Sequence, residues 1–130
     1  MQDAIPTPIL QFLREHIRSV VQLELLLMLH KQPERAWGIA EVSEQLYIPN
    51  SFSESILESL RRIGLVAVTE ESSRQYRYAP AAPELVPLID DLARIYQERP
   101  HSTIHVIYTS QTDQLQNFAD AFRIRKKENE

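Results

Sequence analysis

Arginine and serine side chains are concentrated between residues 51 and 79, and their types suit them to contacting an anion. All four basic residues of this stretch are arginines, and a guanidinium can form two parallel hydrogen bonds to a phosphate or to the edge of a guanine. Serine hydroxyls can donate to phosphate oxygens. The side chains that we single out for such contacts are Ser51, Ser55, Arg61, Arg62, Arg74 and Arg77.

The charge surrounding these arginines opposes the same contacts. Residues 36–79 hold six glutamates against four arginines, a net charge of −2, and the whole chain carries −4 at pH 7. Neutralised phosphates supply most of the sequence-independent affinity for DNA, so an acidic stretch is a poor starting point. Each arginine can instead lie on a solvated face with local salt bridges, as the helical spacing of Glu58 and Arg62 would allow. The sequence therefore supports two interpretations of these side chains.

Other kinds of site have weaker signals. The chain has no cysteine, which excludes disulfides, thiolate metal sites and cysteine nucleophiles, and its two glycines are too few for a phosphate-cradling loop. His101 and His105 have the spacing of a helical metal pair, but no H-E-x-x-H pattern and no nearby third ligand accompany them. We therefore expect no metal site, no cofactor and no enzymatic activity. The basic cluster at residues 123–127 either grips nucleic acid or an acidic partner or is a solvated helix end.

A helix over residues 51–63 carries four of the six candidate side chains. Asn50 or Ser51 is predicted to cap it, with Glu54 completing a capping box from Ser51, and Gly64 to end it. Its apolar stripe is expected to face the core and consists of Phe52, Ile56, Leu60 and Ile63. The opposite face then presents Ser51, Glu54, Ser55, Glu58, Arg61 and Arg62.

The remaining two arginines lie in a predicted β-hairpin over residues 65–79. Residues 65–69 are rich in β-branched side chains, residues 70–73 form a polar turn, and residues 75–78 read as the returning strand. Residues 36–38 are predicted to add a short third strand beside this hairpin.

Two helices precede the 51–63 helix. A short amphipathic one is predicted to begin at Gly38, where Glu41 can reach back to the cap, and to stop before Pro49. Residues 19–31 are apolar on nearly every face, which is typical of a central buried helix. Ser19 and Gln22 are predicted to form its capping box.

The order helix, turn, helix, hairpin, together with the segments LRRIGLVAV and YRYAP, resembles the winged helix-turn-helix domain of MarR-like bacterial transcriptional regulators. In that resemblance residues 60–62 end a recognition helix, residues 64–66 enter the wing, and residues 76–78 form the returning wing strand. The resemblance implies a mainly α fold with a small β-hairpin wing, extra N- and C-terminal helices, and double-stranded DNA as the partner.

The flanking segments are predicted to be helical. Residues 7–18 form an N-terminal helix before the winged core at 19–79, and residues 83–124 form C-terminal helices. Within the latter, residues 102–110 could be strand or helix, and we favour a helix capped by Ser102 because no partner strand is evident nearby; a last helix begins at residue 112 or 113. We interpret residues 1–130 as one domain, whose terminal helices either build a homodimer, as they often do in the resembled regulators, or simply close the core.

The start of the chain lacks a signal peptide, and no apolar run approaches the roughly 20 residues of a membrane span. We therefore expect a bacterial, cytoplasmic protein without membrane association. The favoured function is a DNA-binding transcriptional regulator that uses the 51–63 helix and the 65–79 wing. The alternative, which the acidic balance favours, is a winged-helix module that contacts another protein through the same surface and does not bind DNA.

Overall fold

A computed structural model describes residues 5–71 and 73–110, and these ranges are mainly helical with a small sheet. The helices are α1 (Thr7–His16), α2 (Val20–Lys31), α3 (Ile39–Leu46), α4 (Asn50–Ile63), α5 (Leu85–Glu98) and α6, helical over residues 100–110. The strands are β1 (Trp37–Gly38), β2 (Val66–Thr69) and β3 (Gln75–Tyr78). The predicted fold class is confirmed: helices with a small wing, and extra helices on both sides of the motif.

The sheet is antiparallel, with strand order β1-β3-β2. Tyr76 lies opposite Trp37 of β1 and Val68 of β2, so it occupies the middle of the sheet, and it is fully buried. The predicted short strand beside the hairpin is therefore confirmed. Gly64 joins α4 to the sheet with φ of 96°, a left-handed conformation that glycine adopts without strain.

Helix α2 is the centre of the core, as its composition predicted. Four of its leucines are fully buried: Leu23, Leu25, Leu26 and Leu29. The Oγ of Ser19 accepts the N–H of Gln22 at 3.1 Å, which confirms half of the predicted capping box. The other half is wrong, because the Gln22 side chain accepts the N–H of Arg18 and not that of Ser19.

Helix α3 begins and ends close to its predicted limits. The N–H of Gly38 donates to Oε1 of Glu41 at 2.9 Å, which confirms the predicted cap. The helix ends at Leu46, and its C-cap Tyr47 has a left-handed backbone, with φ 57° and ψ 48°, two residues before Pro49.

The predicted start and buried stripe of α4 are both displaced. Pro49 is the N-cap, and its carbonyl accepts the N–H groups of residues 52 and 53, so neither Asn50 nor Ser51 caps the helix. The buried face consists of Ser53, Ile56, Leu57 and Leu60, whereas Phe52 is 46% exposed. Ser53 is inside because its hydroxyl pairs with that of buried Ser43 of α3 at 2.7 Å. The spacing of hydrophobic residues does not reveal such a polar pair, so the predicted stripe left Ser53 out.

The flanking helices also differ from the prediction at their limits. Helix α1 ends at His16, and α5 begins at Leu85, two residues after Pro83. Residues 102–110 are helical as favoured, but α6 starts at residue 100, so Ser102 lies inside it and is not its cap. The helix predicted from residue 112 and the basic cluster at 123–127 lie outside the described residues.

Candidate nucleic-acid interface

The outer face of α4 presents three of the six predicted side chains. With 3.6 residues per turn, Ser51, Ser55, Glu58 and Arg62 lie opposite the buried stripe; Glu58 is partly buried, whereas the two serines and Arg62 are exposed. We call these three exposed residues the outer line of α4. They form a surface of hydroxyls ending in a guanidinium, groups that suit a phosphate or a base edge.

On one side of the outer line, Glu58 ties α4 to the wing. Its Oε1 accepts two hydrogen bonds from Arg61, at 2.9 and 3.1 Å. Its Oε2 accepts from Nη2 of Arg74 at 2.9 Å and from the hydroxyl of Tyr76 at 2.7 Å. The predicted pairing of Glu58 with Arg62 is therefore wrong, because the wing supplies closer partners that sequence spacing does not show.

Two more glutamates surround Arg74. Its guanidinium lies 3.6 Å from Glu70 and 4.0 Å from Glu54. We call Glu54, Glu58, Arg61, Glu70 and Arg74 the wing-side flank of α4. It opposes two arginines with three glutamates, so its cations are compensated within the chain.

The hydrogen bonds of the wing-side flank hold its groups in defined charge states. Those from Arg61, and then that from Tyr76, lower the pKa of Glu58 to about 2. Burial, followed by the hydrogen bond to Glu58, raises the pKa of Tyr76 to about 12. At neutral pH the carboxylate is therefore anionic and the phenol keeps its proton, which is the pairing that the hydrogen bonds require.

On the other side of the outer line, a cleft of about 460 Å³ separates α4 from the corner between α1 and α2. Its charged lining consists of Arg18, Arg62 and Glu15, with His16 beside them. Neither guanidinium forms an ion pair with another residue of the ranges 5–71 and 73–110. We call this lining the α2-side flank; it has two arginines against one glutamate.

Gln22 holds the α2-side flank together. It is only 4% exposed, and its Oε1 accepts the backbone N–H of Arg18 at 2.7 Å. Its Nε2 donates to the carbonyl of His16 at 3.0 Å and to the hydroxyl of Ser59 on α4 at 3.3 Å. One neutral amide therefore fixes the corner that carries Arg18 against the helix that carries Arg62.

The structure divides the predicted site residues into separate groups. Arg61 and Arg74 are held by Glu58, and only Arg62 of the α4 arginines belongs to the outer line. Arg77 is exposed on β3, paired with Ala67 in the register, on the sheet face opposite buried Tyr76. Sequence reasoning missed Arg18, because no local signal places residue 18 in the same cleft as residue 62.

The N-terminus of α3 is already occupied by a carboxylate. Glu41 accepts the capping N–H of Gly38, and its Oε2 lies 3.0 Å from Arg35, whose Cζ stands 3.6 Å above the ring of Trp37. The Gly38 hydrogen bond, followed by the one from Arg35, lowers the pKa of Glu41. A phosphate at this helix end would have to displace an anion that is held from two sides.

No cluster of three His, Cys, Asp or Glu side chains that could hold a metal occurs in residues 5–71 and 73–110. In the same ranges, no helix has both the length and the apolar character needed to traverse a lipid bilayer.

No protein-family model and no curated protein sequence matches this chain. Among solved structures, a mutant of ZitR from Lactococcus lactis is 19% identical, with a TM-score of 0.50 over 87% of this chain and 76% of that one. A MarR family protein from Bacillus stearothermophilus is 21% identical, with a TM-score of 0.39 over 88% of this chain and 76% of that one. TrmBL2, an archaeal chromatin protein described as showing a novel mode of DNA binding, is 19% identical, with a TM-score of 0.44 over 88% of this chain and 41% of its own.

The likeness to ZitR shows the fold, which is a winged helix. The resemblance of the sequence is thereby confirmed at the level of the fold. Because one fold can carry unrelated functions, the function has to be argued from the surface of α4 and the wing.

Proposed function

We propose that this protein is a DNA-binding transcriptional regulator that contacts duplex DNA with α4 and the wing formed by β2 and β3. The observation that supports it best is the outer line of α4, in which Ser51, Ser55 and Arg62 are all exposed. In a helix-turn-helix protein the equivalent helix enters the major groove, where its outward side chains meet base edges and phosphates. Arg62 can bind a guanine or a phosphate through two hydrogen bonds, and the serines can donate to either.

The wing supplies a further contact in this proposal. Arg77 is exposed on β3, on the sheet face opposite Tyr76, and in this proposal its guanidinium contacts the DNA backbone from the outer face of the wing. Arg61 and Arg74 also lie at this surface, but each contacts DNA only by giving up an ion pair with Glu58. We therefore assign the direct contacts to Ser51, Ser55, Arg62 and Arg77, and a secondary contribution to the two arginines that Glu58 holds.

The proposal includes a homodimer. The outer line of a single chain is a small positive surface. In a two-fold symmetric dimer the two copies would contact half-sites about 34 Å apart along the duplex. The helices outside the motif, α1, α5 and α6, provide faces from which such a dimer could be built. Light scattering of the protein in solution should give twice the chain mass of 15.1 kDa. A monomer at micromolar concentration would contradict this part of the proposal.

A salt titration of binding to random duplex DNA tests the proposal. We expect measurable binding at about 50 mM salt and a steep negative slope of log affinity against log salt concentration, because each phosphate contacted contributes about −0.9. Ser55→Glu, which places a carboxylate on the outer line, should abolish binding. Gln97→Glu makes the same charge change on an exposed position of α5 and should bind like the wild type.

One observation favours the alternative, a module that binds a protein through the same surface. Tyr47, in the turn between α3 and α4, is 93% exposed and has a left-handed backbone, and Phe52 in the first turn of α4 is 46% exposed. Exposed aromatic side chains are enriched at the energetic centres of protein interfaces. If the wild type shows no binding to duplex DNA at about 50 mM salt, the regulator proposal fails and this alternative takes its place.

A further inference from the structure

We propose that Arg18 and Arg62 together bind one phosphate group of the DNA backbone in the cleft between α4 and the α1–α2 corner. The inference rests on the DNA-binding function proposed above. It adds a contact from outside the helix-turn-helix and the wing. It also assigns a ligand, a phosphodiester, to a cleft that sequence reasoning did not find.

The cleft runs alongside the outer line, because its α4 wall extends from Phe52 to Ile63. Ser55 and Arg62 belong to both, since they are exposed on α4 and also line the cleft opposite the corner that carries Arg18. A DNA strand that follows the exposed hydroxyls of α4 therefore reaches Arg62 and the cleft together. The volume of about 460 Å³ leaves room for a phosphate with its hydration.

The charges of the cleft suit an anion. Its two guanidiniums have no ion-pair partner within the described chain, and the one carboxylate of the cleft lining, Glu15, is exposed on α1 and lies 3.7 Å from His16. Ser55 adds an exposed hydroxyl to the α4 wall, whereas the hydroxyl of Ser59 already donates to the carbonyl of Ile56 at 2.7 Å. The wing-side flank has as many arginines, but its carboxylates already pair with them, so of the two flanks the cleft is the one whose guanidiniums are free for an incoming phosphate.

Gln22 gives the site its rigidity. Because its buried amide bonds to the backbone at residues 16 and 18 and to Ser59 of α4, the two walls are held in place before any ligand arrives. A site whose walls are already ordered loses less conformational entropy on binding. Gln22 is a positioning residue in this proposal and does not itself contact the phosphate.

The test compares the affinity of the full-length wild type and four variants for a random duplex by fluorescence anisotropy. Arg18→Ala and Arg62→Ala should each bind roughly tenfold more weakly at about 50 mM salt, with a slope less negative by about 0.9. The double variant should lose much less than the hundredfold product, because the two arginines share one phosphate. Arg14→Ala removes an exposed arginine of α1 that does not line the cleft, and it should match the wild type.

The outcomes separate this site from the function on which it rests. If the wild type binds DNA but Arg18→Ala behaves like Arg14→Ala, the cleft is not a DNA site, although the protein remains a DNA-binding one. Strictly multiplicative losses in the double variant would show two separate contacts and overturn the shared phosphate. If inorganic phosphate binds the wild type but not Arg18→Ala, while DNA binding is unchanged, the ligand is a small anion and the proposal is wrong. A wild type that does not bind DNA at all would overturn the proposed function itself.

Discussion

The two flanks of α4 contain the same number of arginines but hold them in opposite ways. On the wing side the tether is a carboxylate, Glu58, which binds Arg61, Arg74 and Tyr76 at 2.7 to 3.1 Å. On the α2 side the tether is a neutral amide, Gln22, which binds two backbone groups and a serine hydroxyl. An anionic tether uses the arginines themselves as its partners, whereas a neutral one organises the backbone and leaves the guanidiniums available.

This difference bears on the acidic balance of the chain. A net charge of −2 over residues 36–79 argues against DNA binding only if the charges are evenly spread. In the structure, three of the six glutamates gather on the wing-side flank around two arginines, and Glu41 caps α3 beside Arg35. Because most of these acidic groups face internal partners, the outer line and the cleft are less acidic than the sequence suggests.

Replacing the neutral tether should give the largest effect. In Gln22→Leu the N–H of Arg18, the carbonyl of His16 and the hydroxyl of Ser59 lose a common partner, and we expect the free energy of unfolding to fall by about 2 kcal/mol. Urea denaturation followed by circular dichroism measures this. Gln45→Leu, at an exposed position of α3, should change stability by less than about 0.5 kcal/mol. Equal stabilities for the two variants would show that Gln22 does not hold the flank.

Replacing one arginine of each flank by alanine tests the difference between the free and the paired arginines. Arg62→Ala should weaken DNA binding roughly tenfold, whereas the neighbouring Arg61→Ala should weaken it by less than about threefold, because Glu58 already holds that guanidinium. Anisotropy titrations at equal salt concentration measure both. A larger loss for Arg61 than for Arg62 would reverse the assignment of the two flanks.

Neutralising the anionic tether should move DNA affinity in the other direction. In Glu58→Gln the wing-side flank loses a negative charge and Arg61 loses its carboxylate partner, while Arg74 keeps Glu54 and Glu70 nearby. We therefore expect affinity to rise roughly threefold at low salt, with a steeper salt dependence. Glu44→Gln is the matched control: it removes the charge of an exposed glutamate of α3 that has no ion pair in the described part of the chain. If both variants gain equally, net charge explains the effect and the tether does not.

The acid dependence of stability should give the smallest and most specific signal. The pKa of Glu58 falls from its ordinary 4.5 to about 2 on folding, so its contribution is fully present above about pH 4.5 and is lost as the pH falls toward 2. The difference in stability between the wild type and Glu58→Gln should therefore be constant above pH 5 and should shrink below it. Urea midpoints measured between pH 2 and 6 test this. A difference that stays constant down to pH 2 would mean that the carboxylate is not held as described.

Most of the helices and strands could be predicted from short stretches of sequence. Glycine with a glutamate three residues on predicted the start of α3, and the β-branched residues and polar turn that follow Gly64 predicted the wing. Each of these features depends on neighbouring residues, so they can be read along the chain. The start of α4 was misplaced because Pro49 caps it through its carbonyl, and the buried stripe was misjudged because a pair of serines, Ser43 and Ser53, is part of the interior.

By itself, the sequence determined which helices and strands form within residues 5–71 and 73–110, and that serines and arginines lie on the outward face of the second motif helix. These properties follow from spacing and from caps within a few residues. Only the tertiary structure decided which arginines are free. Glu58 forms hydrogen bonds with Arg74, sixteen positions away, and with Tyr76, eighteen positions away. Gln22, which bonds the backbone of Arg18, also bonds Ser59 of α4, 37 positions away. A hydrogen bond forms only between groups that are close in space. The spacing of neighbouring residues in the sequence does not show how close two distant residues are in the folded chain.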